Sequence, residues 1–249
     1  MTRGYVVVGT VKKYFYLSAI HVIETIKAYN PDANVTLFTE ERFLDGQEFC
    51  ADKVEFVASH KRSKIDGMAK SPYDQTFYID ADCDIEHEDI AKVFDELEDN
   101  DLVFTGLPEE RHYCYAEVYF PGATKPDGSM GGFELCGGVC LYNMTNPLVK
   151  EFMVDWHDLT IRQYDGHWWP LNEDGTEDLK NYPASFKRWD QFSLWWLLNK
   201  EPKYETLKVS IFKDDARWNF FNGYRAEHNT KPVVIRHFSN SKAKHNNYD

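Results

Sequence analysis

Ser71-Pro72-Tyr73-Asp74-Gln75-Thr76-Phe77-Tyr78-Ile79-Asp80-Ala81-Asp82 is the stretch whose reading decides the fold. The run Thr76–Ile79 predicts a strand, and it ends in two carboxylates at i and i+2 where the strand meets solvent. Residues two apart in a strand share a face, so Asp80 and Asp82 converge on one hard cation if the extended geometry continues through Ala81. A cation at the carboxyl end of a sheet suits a diphosphate ligand. Two blander readings fit the same residues. Acidic residues form turns after strands, and Asp80, Asp82 and Asp84 resemble the start of a calcium loop. The calcium loop fits poorly, because its sixth position is Ile85 and its twelfth is Ala91.

Working outward, the first hundred residues alternate strand and helix. Tyr5 to Val8 reads as an apolar strand, and Leu17, Ile20, Ile23 and Ile26 recur at helical spacing until Asn30-Pro31. Asn34–Thr39 and Lys53–Val57 are further strands. Ile90, Val93, Phe94 and Leu97 predict an amphipathic helix before a strand at Asp101–Thr105. Repeated β-α-β order implies an α/β fold with a mainly parallel sheet flanked by helices, which binds nucleotides at the strands' carboxyl ends.

The second half is less regular. Residues 107–132 and 157–188 are polar and rich in Gly, Pro and aromatics, and read as loops over the sheet. Between them lie the strand Gly137–Tyr142 and a helix Pro147–Trp156 capped by Asn146. A further helix carries Asp190, Gln191, Phe192, Trp195 and Trp196, and a last strand Val233–Ile235 leads to His237. No linker divides the 249 residues, which read as a single catalytic domain, with 1–106 as its nucleotide-binding half and 107–249 as its acceptor-binding and metal-binding half.

Composition narrows the function. With 43% hydrophobic and 16% aromatic residues the chain can fill a core. A net charge of −13 disfavours a protein that holds nucleic acid mainly by phosphate attraction. No apolar stretch approaches the roughly 18 residues of a membrane span, and no signal-peptide pattern opens the chain. Cys50, Cys83, Cys114, Cys136 and Cys140 form no disulfide-like framework, so reduced thiols in a cytoplasm are expected. Cys136 and Cys140 lack the second pair that a zinc site needs.

The acidic pair, the Gly-Gly strand, the Asp-Gln helix start and the terminal His stand in an order that resembles a nucleotide-sugar glycosyltransferase of the GT-A fold. The likeness is to family 8, the retaining group that includes glycogenin and bacterial galactosyltransferases. It covers most of residues 4–106 and four short later segments. The resemblance implies that Asp80, Asp82 and His237 hold manganese or magnesium on the donor diphosphate, the donor being a UDP-sugar. It places Lys64 against the donor, the base near Gly9, Thr10 and Tyr14, and the donor sugar near Gly137 and Gly138, with Asp190 and Gln191 at the reacting sugar. Imidazole with carboxylates suits manganese better than calcium.

The resemblance is imperfect. After His237 the family pattern places an aromatic residue, a Gly and a Lys. Phe238 matches, Asn240 replaces the Gly, and Lys242 and Lys244 flank Ala243, so either lysine is a candidate for the diphosphate. Cys136 stands where the family favours Asn. Trp168 and Trp169, near Asp165 and His167, suit stacking of an acceptor sugar or base, though loop aromatics also plug cores. Asp190 and Gln191 could simply cap their helix, Tyr14 pack in a core, and the two glycines form an ordinary turn.

The expected protein is therefore a metal-dependent glycosyltransferase that moves a hexose or pentose to a hydroxyl on a glycan, a protein or a hydroxylated DNA base. A sugar-phosphate nucleotidyltransferase is one rival, but such enzymes open with a glycine-rich loop, and here that loop has only Gly9. The non-enzymatic rival is a calcium-dependent glycan-binding module built on Asp80, Asp82 and Asp84.

Overall fold

A computed structural model describes residues 1–106, 135–221 and 231–238. Its main sheet has seven strands in the order β3-β2-β1-β4-β7-β6-β8. They are β1 (Arg3–Gly9), β2 (Val35–Thr39), β3 (Lys53–Phe56), β4 (Gln75–Ile79), β6 (Leu102–Gly106), β7 (Leu135–Asn143) and β8 (Val209–Ile211). β1, β2, β3 and β4 run parallel, and β7 is antiparallel to both β4 and β6. The expected mixed, mainly parallel sheet is thus present. A small second sheet joins β5 (Cys83–Ile85), β10 (Ile235–His237) and β9 (Phe220–Phe221).

Period-2 alternation builds two cores. Tyr5 and Val7 of β1, Phe77 and Ile79 of β4, and Val139 and Leu141 of β7 face helix α1 (Lys13–Tyr29). The intervening Val6, Val8, Tyr78, Cys140 and Tyr142 face α2 (Ser63–Ala69), α3 (Pro147–Tyr164) and α4 (Asp190–Lys200). Gly9 serves this layering, since a Cβ there would lie 2.8 Å from Ala19 Cβ and from the Phe15 carbonyl. Its side is closed by α1.

Three expectations are corrected. Ile90, Val93, Phe94 and Leu97 are buried as their spacing requires, but Glu88–Leu97 winds as a 3-10 helix. Its i, i+3 pairs Ile90–Val93 and Phe94–Leu97 stay in line under the tighter winding. Helix α3 runs two turns past Trp156, so residues 157–164 are not loop. Buried polar residues hold that extension: the Thr160 hydroxyl donates to Trp156 O at 2.6 Å, and Gln163 Nε2 donates to Phe186 O at 2.9 Å and Trp189 O at 2.7 Å. The last strand begins later than expected, and His237 lies within it. The Asn146 cap is found as read, its Oδ1 accepting from the Leu148 amide at 2.9 Å. No described helix is long and apolar enough to cross a membrane. Lys242, Lys244 and the loop 107–132 lie outside the described residues.

Candidate active site

β1 and β4 are neighbours, while the chain leaves β1 through α1 toward β2 on one side and returns through α2 to β4 on the other. That reversal opens a crevice at their carboxyl ends, the usual ligand position in such sheets. A cavity of about 500 Å³ occupies it, a volume ordinary for a small-molecule site. Thr10 and Tyr14 border it on the β1 side, and Asp80 and Asp82 on the β4 side.

The acidic turn forms differently from the expected extended strand. The Asp80 amide still donates to Gly138 O at 2.8 Å, but Ala81 and Asp82 turn so that the chain can enter β5. Antiparallel pairing of β5 with β10 sets His237 opposite Cys83, and the Phe238 amide donates to Asp82 O at 2.8 Å. The turn and the pairing bring Asp82 Oδ1 to 3.1 Å from His237 Nε2. Strand alternation does not. Burial pushes the Asp82 carboxyl up, and His237 outweighs it, leaving it below its usual value.

Asp80 faces another way. It accepts a hydrogen bond from the Tyr78 hydroxyl and sits 3.4 Å from Lys64 Nζ. Burial, only partly opposed by Lys64, raises its carboxyl. Lys64 Nζ also lies 3.0 Å from Asp190 Oδ2, and Arg62 Nη1 lies 3.0 Å from Asp190 Oδ1. Asp190 is therefore a buried carboxylate clamped by two cations, which overcome burial and hold it below the usual range. The helix-capping alternative is not what is seen: Trp189 is the cap residue, and no side chain caps the helix. Gln191 Oε1 is buried with no hydrogen-bond partner among the described residues.

Gly137 and Gly138 on β7 lie beneath these carboxylates. A Cβ on Gly138 would come within 2.8 Å of Asp80 Oδ2 and 2.9 Å of His237 Cε1, and one on Gly137 within 3.1 Å of Asp190 Oδ2. The Gly-Gly pair is thus a cradle that any larger residue would fill. Trp168 and Trp169 lie elsewhere. Trp169 is 4% exposed in an aromatic cluster with Phe186, Phe192 and Trp195, and half-buried Trp168 packs on its edge.

Several residues of the site were not singled out from the sequence. Lys12, Lys61, Arg62 and Arg188 line the cavity together with Lys64. The basic run Lys61-Arg62-Ser63-Lys64 in an acidic chain was a usable signal; Arg188, brought in from a distant loop, gave none. Asn219 is fully buried. Its Oδ1 lies 2.8 Å from His237 Nδ1, and its Nδ2 donates to Thr105 Oγ1 at 2.8 Å. Asn219 thus fixes the His237 ring through Nδ1 and aims Nε2 at Asp82. A ring nitrogen and a carboxylate oxygen face each other here at 3.1 Å, an arrangement that a proton or a cation can bridge. The donor set fits a divalent ion. Asp82, Cys83 and His237 offer ligand atoms within 4.8 Å of one another. Burial and the nearby Asp82 and Asp80 keep the Cys83 thiol protonated, which leaves the oxygen and imidazole donors for a hard cation.

The mixed sheet, with β7 inserted antiparallel beside β4, matches the GT-A fold of the solved structures it is similar to. Among solved structures the chain is similar to the galactosyltransferase LgtC crystallised with donor and acceptor sugar analogues, with a TM-score of 0.55 and 14% identity over 95% of this chain and 87% of that one. An active-site variant of LgtC matches with a TM-score of 0.55 and 13% identity over the same shares. No family model matches the chain, and no curated protein does.

Proposed function

We propose that this protein is a metal-dependent glycosyltransferase whose donor is a nucleoside diphosphate sugar, UDP being the nucleotide that the resemblance favours. One observation carries the reading. In a chain of net charge −13, five cations (Lys12, Lys61, Arg62, Lys64 and Arg188) share one cavity with Asp80 and Asp82 at the carboxyl ends of β1 and β4. Basic groups with a carboxylate pair are what a diphosphate and its divalent counterion require together.

Asp82 and His237 would hold the ion, with Asp80 beside them, and a bound Mn2+ or Mg2+ would neutralise charge on the departing diphosphate. Asn219 contacts Nδ1 of His237 and so orients the ring with Nε2 toward Asp82. Asp190 fixes Lys64 and Arg62, so both cations face the diphosphate without reorganising. Gln191 Oε1, without a hydrogen-bond partner among the described residues, would supply an acceptor for a sugar hydroxyl. Thr10 and Tyr14 border the place for the base, and the acceptor comes from the side of residues 107–249. Retention, as the resemblance implies, would let a departing phosphate oxygen take the acceptor's proton.

The calcium-binding alternative loses its third ligand, because Asp84 is 2.9 Å from His21 Nε2 on α1 and is turned from the cavity. A screen of nucleotide sugars with manganese, scored by UDP release with and without candidate acceptors, tests the proposal. Failure of every nucleoside diphosphate to bind in the presence of manganese would sink it.

Two variants probe the ion site. His237→Ala should weaken manganese by at least about ten-fold and leave metal-free UDP binding unchanged. Asn219→Ala removes no ligand, yet should cost roughly 10–100-fold in manganese affinity because it frees the ring. Titration calorimetry of both proteins decides: equal manganese affinities in wild type and His237→Ala would make the imidazole structural.

A further inference from the structure

A second cavity, of about 660 Å³, opens beside the first and is lined by Arg62, Ala184, Ser185, Arg188 and Trp189. Arg62 and Arg188 border both, so a ligand in the second meets the occupant of the first across two guanidinium groups. We infer that this second cavity binds the acceptor, and that the acceptor is a small molecule with a ring and an anionic oxygen group, phosphate or carboxylate. The inference rests on the donor reading only in naming the ligand an acceptor.

Charge and shape carry the argument. The described residues include no carboxylate among those lining this cavity, although the chain has 41 acidic residues against 28 Lys and Arg. Arg188 is exposed and makes no ion pair with a described residue. Arg62 is fixed by Asp190, yet its Nε is buried with no hydrogen-bond partner among the described residues. A guanidinium fork matches the planar or trigonal face of carboxylate and phosphate, and a pre-positioned one loses little entropy on binding. Beside the two arginines, the Trp189 indole is 39% exposed, an apolar plane on which a sugar ring can lie. Donor ligands need the acidic turn, which borders only the first cavity. A polyanion is disfavoured by the overall charge of −13, which opposes long-range attraction. A cavity of this volume suits a single sugar or disaccharide.

Calorimetry with three probes tests this. Glucose 6-phosphate, glucuronate and glucose are titrated into the protein alone and into protein saturated with manganese and UDP. Both anionic sugars, or one of them, should bind at least about ten-fold more tightly than glucose. The identity of the tighter probe tells phosphate from carboxylate. Arg188→Glu and, separately, Ser185→Glu should each erase that preference. Ser185 is exposed and borders only the second cavity, so its variant guards against a folding or donor-site effect of the first. UDP binding with no anionic preference, or a preference that survives both variants, overturns the inference and leaves the donor reading intact. Absence of UDP binding defeats the donor reading instead, and the titrations without UDP then decide the second cavity alone: a preference lost in the variants upholds an anion site, and equal binding of all three sugars removes it.

Discussion

Asp82→Ala should lower metal-supported turnover by at least about 100-fold while the melting temperature stays within a few degrees of wild type. The two expectations share one origin. Asp82 belongs to a turn, with its side chain 28% exposed, so its removal opens no cavity in either core. Its carboxylate gains from the His237 contact and repels Asp80, whose carboxyl it raises. Deleting it removes both effects and leaves a small net change in stability. The ion site has no such compensation, because the oxygen 3.1 Å from His237 Nε2 is gone and no other described carboxylate faces that nitrogen as closely. Metal-free UDP binding should persist, since Lys12, Lys61, Arg62 and Lys64 are untouched. Asp80→Ala would be a poorer test, because it also strips a partner from Lys64 and from the Tyr78 hydroxyl. Rates of UDP release at limiting manganese, alongside thermal melts, make the measurement; near-wild-type turnover there would remove metal dependence from the proposal.

The parallel half of the fold was legible because its strands are buried on both faces and read as nearly continuous apolar runs. Tyr5–Val8 and Phe77–Ile79 each contribute to both cores, and the helix stop at Asn30-Pro31 is local chemistry. Asp80 and Asp82 were legible for a related reason, as charges placed where such a run must end. The route by which Asp82 meets His237 was not, since it depends on a pairing between β5 and β10 across more than 150 residues of sequence. Polar composition misled at 157–164, because Thr160 and Gln163 are polar yet buried, and each bonds to groups that only the tertiary fold supplies. Asn219 escaped notice on the same ground: a single asparagine carries no pattern, and its value lies in standing between Thr105 and His237.

Trp169→Ala should destabilise the fold by about 3–5 kcal/mol, the usual cost of truncating a large buried aromatic residue. At this chain length that is a fall of roughly 6–20 °C in melting temperature. The ring stacks 4.7 Å from Phe192 at 30°, its Nε1 donates to Tyr182 O at 3.1 Å, and the Lys187 ammonium lies 5.3 Å from its centre. Those contacts tie the loop after α3 to α4, the helix that carries Asp190 and Gln191, so hydrolysis of the donor and transfer to the acceptor should fall together. Stacking on an acceptor would leave another signature. The Michaelis constant for the acceptor would rise alone, by about five-fold to somewhat over 100-fold for a ring worth about 1–3 kcal/mol, with the melting temperature unchanged. Trp168 is half-buried against Trp169 and Trp196, and its replacement by alanine should cost less stability than that of Trp169. Melting, hydrolysis and transfer measured on each single variant separate the two roles, and a stable Trp169→Ala protein impaired only in acceptor use would return that tryptophan to the substrate site.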